Sequence, residues 1–387
     1  MSEHRLDELC EILDSKRVPL SAMQRAKRQG PYPYYGAQSI IDYVDDYLLD
    51  GKYLLVAEDG ANLVTRTQDI ANIVSGKIWV NNHAHILGYN GKCPLELLGF
   101  ILNHSNISPY VTGCAQPKLN QDNLRRIPID LPEKVDAVSS ILSSLDDKIA
   151  VNRRICENLE AQAQALFKHW FIDFAPFKNG KFVESELGMI PEGWRVGTLG
   201  EICKTNKRTL SSKNTPDVIE YLDTGNITAN RIDNIQILHK GQDKIPSRAK
   251  RLVSEGDILF SAVRPNQRHY GLLMNPSPSL VVSTGFVVIT ANWSAYRYFI
   301  YRFLIQNSII ETLQAIGEQS VSTYPSINAN DIESLKLIIP KMEDVEDFAD
   351  ICCNFYCKIE SIEQESSRLS TLRDTLLPKL MSGQIKV

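Results

Sequence analysis

The chain repeats itself, and this constrains its fold more than any other feature. Residues 115–132, AQPKLNQDNLRRIPIDLP, align with residues 323–340, TYPSINANDIESLKLIIP, at an offset of 208. Pro117 falls on Pro325, Asn120 on Asn328, Leu124 on Ile332 and Pro132 on Pro340. Each copy reads as a loop, a short polar helical turn, an alternating apolar strand and a closing proline. The strand positions are Ile127, Ile129 and Leu131 in one copy and Leu335, Leu337 and Ile339 in the other. Upstream, DGKYLLVAEDG from Asp50 resembles EGDILFSAVRP from Glu255, a glycine turn feeding a β-rich run. A chain of 387 residues exceeds one ordinary core, so the duplication predicts two related domains.

A long helical pattern follows each closing proline. Leu142, Leu145, Ile149, Asn152, Cys156, Leu159, Ala163, Leu166 and Trp170 step by three and four. Cys352, Phe355, Ile359, Ile362, Ser366, Leu369, Arg373, Leu376 and Leu380 repeat the stepping 210 residues later. This is a heptad a/d seam, and a helix of ~30 residues extends roughly 45 Å at about 1.5 Å per residue. Polar members such as Asn152, Ser366 and Arg373 cost stability but set register. Because the two seams are in phase, they are read as pairing with each other; the alternative is that each helix packs on its own domain. The assigned seam comprises Leu145, Ile149, Asn152, Leu159, Leu166, Phe355, Ile359, Ile362, Leu369 and Leu376.

The order is therefore globular, helix, globular, helix: residues 1–132, a helix at 133–172, a Gly- and Pro-rich linker at 173–193, residues 194–340, and a second helix at 341–387. Short strands are expected at Tyr53–Ala57, Lys77–Val80, Ile258–Val263, Leu280–Ser283 and Gly285–Thr290. Helices are expected at Leu95–His104 and Trp293–Ile316.

A net charge of −4 does not suggest a binder of polyanions until the charges are located. Residues 15–41 hold Lys16, Arg17, Arg25, Lys27 and Arg28 with no acid. Residues 203–216 hold Lys204, Lys207, Arg208 and Lys213 with none, and residues 258–310 also lack Asp and Glu. Residues 343–365 carry eight acids and one lysine. Segregation of this kind lets one surface attract phosphate while an acidic one faces something else. The N-terminus has no basic stretch followed by an apolar one, and no apolar run approaches the roughly 20 residues of a bilayer span, so a cytoplasmic location is expected. The eight cysteines are then reduced thiols. Cys353 and Cys357 share a helix face but lack a partner motif, and they are read as core thiols rather than metal ligands.

Catalytic motifs are missing. No polar-Pro-Pro-aromatic loop of an amino-methyltransferase is present, and Asn275-Pro-Ser-Pro lacks the aromatic. No phosphate loop of a nucleotide-driven motor occurs, and Pro216-Asp217 with Glu220 lacks the lysine of a nuclease core. His83 and His85 alternate without a third ligand and are read as polar contacts. The chain is expected to be no enzyme, to bind no metal and to hold no cofactor.

Reading a duplex needs Arg, Lys, Asn and Gln at base edges, and cations at phosphates. The first half offers Arg25, Lys27 and Arg28 interleaved with Tyr34 and Tyr35, then Asn62, then Asn81, Asn82 and His83, then Gln116 and Lys118. The second half offers Lys207 and Arg208, Lys244 and Arg248, the run Arg264, Asn266, Gln267, Arg268 and His269, and the polar stretch Gln319, Ser320, Ser322 and Tyr324. Glu58 and Asp59 can accept from a cytosine amine or serve as turn residues.

LDDKIAVNRRICENLEAQAQALFKHWFIDF from Leu145, GMIPEGWRVGTLGEI from Gly188, LLPKLMSGQI from Leu376 and GPYPYYGAQSIIDYVDDYLLDGKYLLVAEDGANL from Gly30 together resemble the specificity subunit of Type I restriction–modification systems across essentially the whole chain. The resemblance implies an α+β fold: two β-rich target-recognition domains in a pseudo-two-fold arrangement, separated by two long antiparallel coiled-coil helices. It implies that each domain reads half of a bipartite double-stranded DNA site and that the helices set the spacer. It also implies two modification subunits that methylate adenine N6 with S-adenosylmethionine, and restriction subunits that use ATP and Mg. The alternative is a non-catalytic coiled-coil scaffold that joins other proteins.

Overall fold

The computed structural model describes residues 2–113, 116–211, 216–319 and 326–387. It forms two compact units, Met1–Val151 with Glu365–Val387, and Asn152–Gln364. Each long helix contributes to both units, so the units cut across the boundaries expected at 132/133 and 340/341. Secondary structure mixes helices with sheets, an α+β fold.

The first unit is built on strands β1 (Ser2–Arg5), β2 (Cys10–Ile12), β3 (Gln29–Tyr35), β4 (Ile40–Val44), β5 (Leu49–Ala57), β6 (Ala71–Val80), β7 (Ala84–Tyr89) and β8 (Pro128–Leu131). Six of them form one sheet in the order β2-β7-β5-β6-β3-β4, in which only β3 and β6 run parallel. β1 pairs with β8. Leu54, Val56 and Leu87 point from the sheet into a core closed by the helix Leu95–His104 and by Val138, Leu142, Leu377 and Leu380 of the two long helices.

The second unit contains β9 (Phe182–Ser185), β10 (Gly188–Pro191), β11 (Arg195–Thr198), β12 (Cys203–Thr205), β13 (Val218–Leu222), β14 (Ile227–Thr228), β15 (Arg231–Ile232), β16 (Gln236–His239), β17 (Ala249–Leu252), β18 (Ile258–Ser261), β19 (Tyr270–Leu272), β20 (Leu280–Ser283), β21 (Phe286–Ala291) and β22 (Lys336–Ile339). Its sheets run β12-β21-β18-β19 and β16-β13-β20-β17, and β11 pairs with β22 as β1 does with β8. The segment expected as the linker, residues 173–193, carries the β9–β10 hairpin.

The two units share one topology with two interruptions. β17 and β18 together follow the path of β5, and β19 and β20 together follow β6; β13 lies parallel to β20 as β3 lies parallel to β6. β6 stays one strand because Gly76 takes φ +89, a bend that costs a Cβ-free residue little. In the second unit the same path crosses Pro276 and Pro278, which have no N–H to give the ladder, and the strand divides. The register also refines the repeat. Leu54 and Ile12 both face Leu87, while Ile258 and Thr205 both face Ile289, so Leu54 corresponds to Ile258, one residue from the alignment by glycine turns.

The expected helical turns form at Gln121–Arg125 and Ala329–Glu333. Each is capped by the repeated asparagine: Asn120 Oδ1 accepts from Asn123 N at 2.8 Å, and Asn328 Oδ1 from Asn330 N at 2.8 Å. The apolar stretch from Trp293 becomes two helices, Tyr296–Leu304 and Asn307–Gln319.

The long helices span Val135–Phe167 and Met342–Met381 and pair antiparallel within each unit. In the first, Arg373 meets Asp146 at 2.6 Å and Lys148 meets Glu365 at 3.3 Å. In the second, Cys156 lies 3.9 Å from the Ile359 carbonyl, and Phe167 packs on Phe348. Asn152, Ile359 and Ile362 of the assigned seam are buried; Leu145, Ile149, Leu159, Leu166 and Leu369 are half-buried. At two seam positions the buried residue is the next one along, Tyr356 rather than Phe355 and Leu377 rather than Leu376, because those side chains face the cores.

Candidate nucleic-acid interface

The duplicated topology places the same backbone junction at the C-terminal end of β5 and of β18. In the first unit, Glu58 N donates to the His83 carbonyl at 2.9 Å, and Leu119 N donates to the Glu58 carbonyl at 2.7 Å. In the second, Ala262 N donates to the Gly285 carbonyl at 2.8 Å, and Ile327 N donates to the Ala262 carbonyl at 2.8 Å. The bridge Asp59–Lys118 has its counterpart in Val263–Ser326. Three loops scattered in sequence thus converge twice, and the candidates Asn82, His83, Gln116 and Lys118, with Arg264, Asn266, Gln267 and Arg268, lie on or next to them.

The first junction is a closed ionic network. His83 Nδ1 lies 2.6 Å from Asp59, Lys118 Nζ lies 3.1 Å from Glu58, and Arg17 pairs with Glu58 and sits 3.4 Å from Asp14. Asp14, Glu58 and His85 place their ligand atoms within 4.8 Å of one another, a grouping that invites a metal reading. Both His85 nitrogens, however, face oxygens, Asp14 at 2.6 Å and the Leu119 carbonyl at 2.7 Å, so both are already engaged within the protein. Burial alone would push the Asp14 carboxyl up. The hydrogen bond and charge of His85, the Ile86 N–H and Arg17 bring it below its usual range. Glu58 behaves likewise: burial raises it, and Arg17, Lys118 and His85 pull it lower. It therefore braces the junction, whereas Asp59 is committed to His83.

Several sequence candidates prove structural. Tyr34 is 1% exposed and its hydroxyl accepts from Leu20 N at 2.7 Å, so it cannot reach a base edge. Asn62 is buried, donating to the Gln68 carbonyl at 2.8 Å and accepting from Gln68 N at 3.0 Å. Asn81 is buried and accepts from His83 N at 2.8 Å, which shapes the turn. Arg25 is held by Asp42 at 2.9 Å and lies over Tyr34; Arg28 is held by Asp45 at 2.9 Å and lies over Trp79. Tyr35 is half-buried, and Lys27 is exposed beside them. His269 is half-buried with Nδ1 at 2.6 Å from the Ile227 carbonyl, which ties its loop to the β14–β15 hairpin rather than freeing it for contact. Cys357 is exposed and Cys353 half-buried, contrary to their reading as core thiols. Ser320, Ser322 and Tyr324, with Lys213, lie outside the described residues.

The second junction differs. Arg264 and Arg268 frame the turn Pro265–Gln267 and both take left-handed backbone, φ +49 and +58. Such geometry costs a non-glycine residue on the order of 1 kcal/mol and concentrates at functional sites. Arg268 donates to Asn307 at 3.0 Å, Asn266 N to Gln314 at 3.2 Å, and Gln267 is exposed. Gln319 ends that supporting helix, exposed.

A basic strip joins candidates that sequence kept apart. Thr209 bridges Arg251, Leu210 N donates to the Lys250 carbonyl at 2.7 Å, and Leu252 N to the Arg208 carbonyl at 3.2 Å. Residues 208–210 therefore run alongside β17, placing Lys207 and Arg208 beside Arg248, Lys250 and Arg251. Arg248 accepts from Thr284 N at 2.8 Å through its carbonyl, next to Gly285 of the junction. Lys244 is exposed upstream.

Sequence reasoning passed over Arg302. It is 1% exposed in the helix Tyr296–Leu304, pairs with Glu160 and Tyr356, and lies over the rings of Tyr301 and Tyr356. A lone arginine in an apolar run was the available signal, because a buried guanidinium must find a carboxylate.

Comparison with known proteins matches residues 1–161 and 191–371 to the model of the Type I restriction modification DNA specificity domain. The Type I restriction enzyme MjaIX specificity subunit of Methanocaldococcus jannaschii is 29% identical over 310 residues, covering 76% of this chain and 69% of that protein. The MjaVIII specificity subunit of the same organism is 21% identical over 399 residues, covering 99% and 92%. The crystal structure of the Type-I restriction-modification system S subunit from M. genitalium aligns at a TM-score of 0.54 and 14% identity, over 98% of this chain and 95% of that one, a likeness of fold.

Proposed function

The chain belongs to the Type I restriction modification DNA specificity family, and on that premise we propose that each unit reads one half of a bipartite duplex site. The observation that carries this reading is the repeated three-loop junction. One topology presents polar loops twice, with different side chains at matching positions, as two unlike half-sites require. Asn82, His83, Gln116 and Lys118 read for the first unit; Arg264, Asn266, Gln267 and Arg268 read for the second. Bidentate arginine contacts to guanine are the commonest means of such reading.

The chain performs no chemistry in this proposal. Two modification subunits supply adenine N6 methylation with S-adenosylmethionine, and restriction subunits supply ATP- and Mg-dependent translocation and cleavage. The long helices set the spacer between half-sites and seat the modification subunits. Their exposed Val151, Ile155, Ile351 and Leu372 support that role, since apolar surface on a helix face favours a protein partner. No helix among the described residues is long and apolar enough to cross a membrane.

Methylation mapping of DNA from cells holding this chain with its partner subunits tests the proposal. A split motif with a fixed gap is expected. Absence of any bipartite methylated motif overturns it.

A further inference from the structure

Resting on that reading, we infer that the two units engage DNA asymmetrically: the strip beside β17 supplies the phosphate contacts, while the first unit reads from a surface already neutralised by its own acids. The charges support this pair by pair. Each basic candidate of the first unit except Lys27 has a carboxylate close by: Arg25 with Asp42 and Arg28 with Asp45, each at 2.9 Å, Lys118 with Glu58 at 3.1 Å, and His83 with Asp59 at 2.6 Å. In the second unit, among the described residues, Lys207, Arg208, Lys244, Arg248 and Lys250 are exposed and none has a carboxylate within 4.0 Å.

The difference has a physical consequence. A cation paired with a carboxylate releases few counterions when phosphate approaches, because its charge is already balanced. An unpaired one releases them, and each such contact adds about 0.9 to the slope of log affinity against log salt on duplex DNA. The strip is also arranged for this work. Residues 208–210 and β17 are adjacent extended segments, and Arg248 joins them to the second junction through Thr284. Duplex captured along the strip is therefore delivered to the Arg264–Arg268 loop, and the first unit reads its half-site afterwards.

The test is binding of the full chain to a fluorescein-labelled random-sequence 30-bp duplex by anisotropy between 20 and 200 mM KCl. K207Q/R208Q/K250Q is compared with R25Q/D42N/R28Q/D45N, which removes two ion pairs at constant net charge, after thermal denaturation has shown both to be folded. The strip variant is expected to lower the slope by about 2 to 3, three phosphate contacts at about 0.9 each, and the pair-removal variant to change it by less than 1. If pair removal does not fold, R28Q/D45N alone, which removes one ion pair at constant net charge, replaces it with the same expectation. An unchanged slope in the strip variant, or an equal fall in both, overturns the asymmetry while leaving DNA reading intact. A wild-type chain with no salt-dependent duplex binding overturns the DNA-reading proposal itself.

Discussion

Arg302 and Glu160 form a buried ion pair that ties the helix Tyr296–Leu304 of the second unit to the first long helix. The guanidinium also donates to the Tyr356 hydroxyl on the second long helix, so one side chain joins three elements. Arg302→Ala is expected to destabilise the second unit by about 3 kcal/mol, near the low end for breaking a buried pair, because Glu160 is a quarter exposed and water takes up part of its stranded charge. Arg302→Lys is expected to recover less than half, since an ammonium lacks the planar face that stacks on Tyr301 and Tyr356. Urea denaturation of the three proteins measures both effects.

The Asp14–His85 contact makes stability depend on pH. Asp14 titrates below its ordinary value of 3.8 in the fold, because the His85 and Ile86 bonds and Arg17 outweigh burial. Its ionised form is thus the folded form, and its contribution is present above the unfolded value and lost as pH falls through the folded one. Asp14→Asn is expected to cost ~1–3 kcal/mol at pH 7 by stranding buried partners. It should also flatten the loss of stability below about pH 4. Equal acid sensitivity in both proteins, followed by denaturation at a series of pH values, would count against this assignment.

Thiol reactivity should divide sharply. Burial pushes Cys10, Cys93, Cys203 and Cys352 up to about 12, so almost no thiolate exists at pH 8. Brief treatment with iodoacetamide is expected to modify the exposed Cys357 first and leave those four intact until denaturant is added. Peptide mass spectrometry reads the order directly.

Base reading by the second junction predicts a distinctive loss. Arg264→Ala or Arg268→Ala is expected to weaken the complex by about 1–3 kcal/mol at cognate sites and relax preference at one position. A loss uniform over all sequences would identify a phosphate contact instead. Tyr34→Phe and Asn62→Ala should leave sequence preference unchanged, because both side chains are spent inside the first unit.

Periodicity and duplication were legible in the sequence because they arise from local rules. Alternation at Ile127, Ile129 and Leu131, asparagine caps at 120 and 328, and three-and-four stepping along two helices each reflect one residue and its near neighbours. The helix Leu95–His104 formed at its expected bounds for that reason. The divided strands of the second unit also had a local cause, Pro276 and Pro278, although their correspondence to β6 emerges only from the pairing.

Which charges remain available was a tertiary matter. Residues 15–41 contain no acid, yet Asp42, Asp45 and Glu58 fold back onto Arg25, Arg28 and Arg17. Conversely, Lys207 and Lys250 lie far apart in sequence but on neighbouring segments in space. Charge acts through distance and dielectric rather than along the chain, so the sequence by itself determined two related β-rich units and paired helices. Only the tertiary structure decided which cations carboxylates had already claimed and which stay exposed on the strip beside β17.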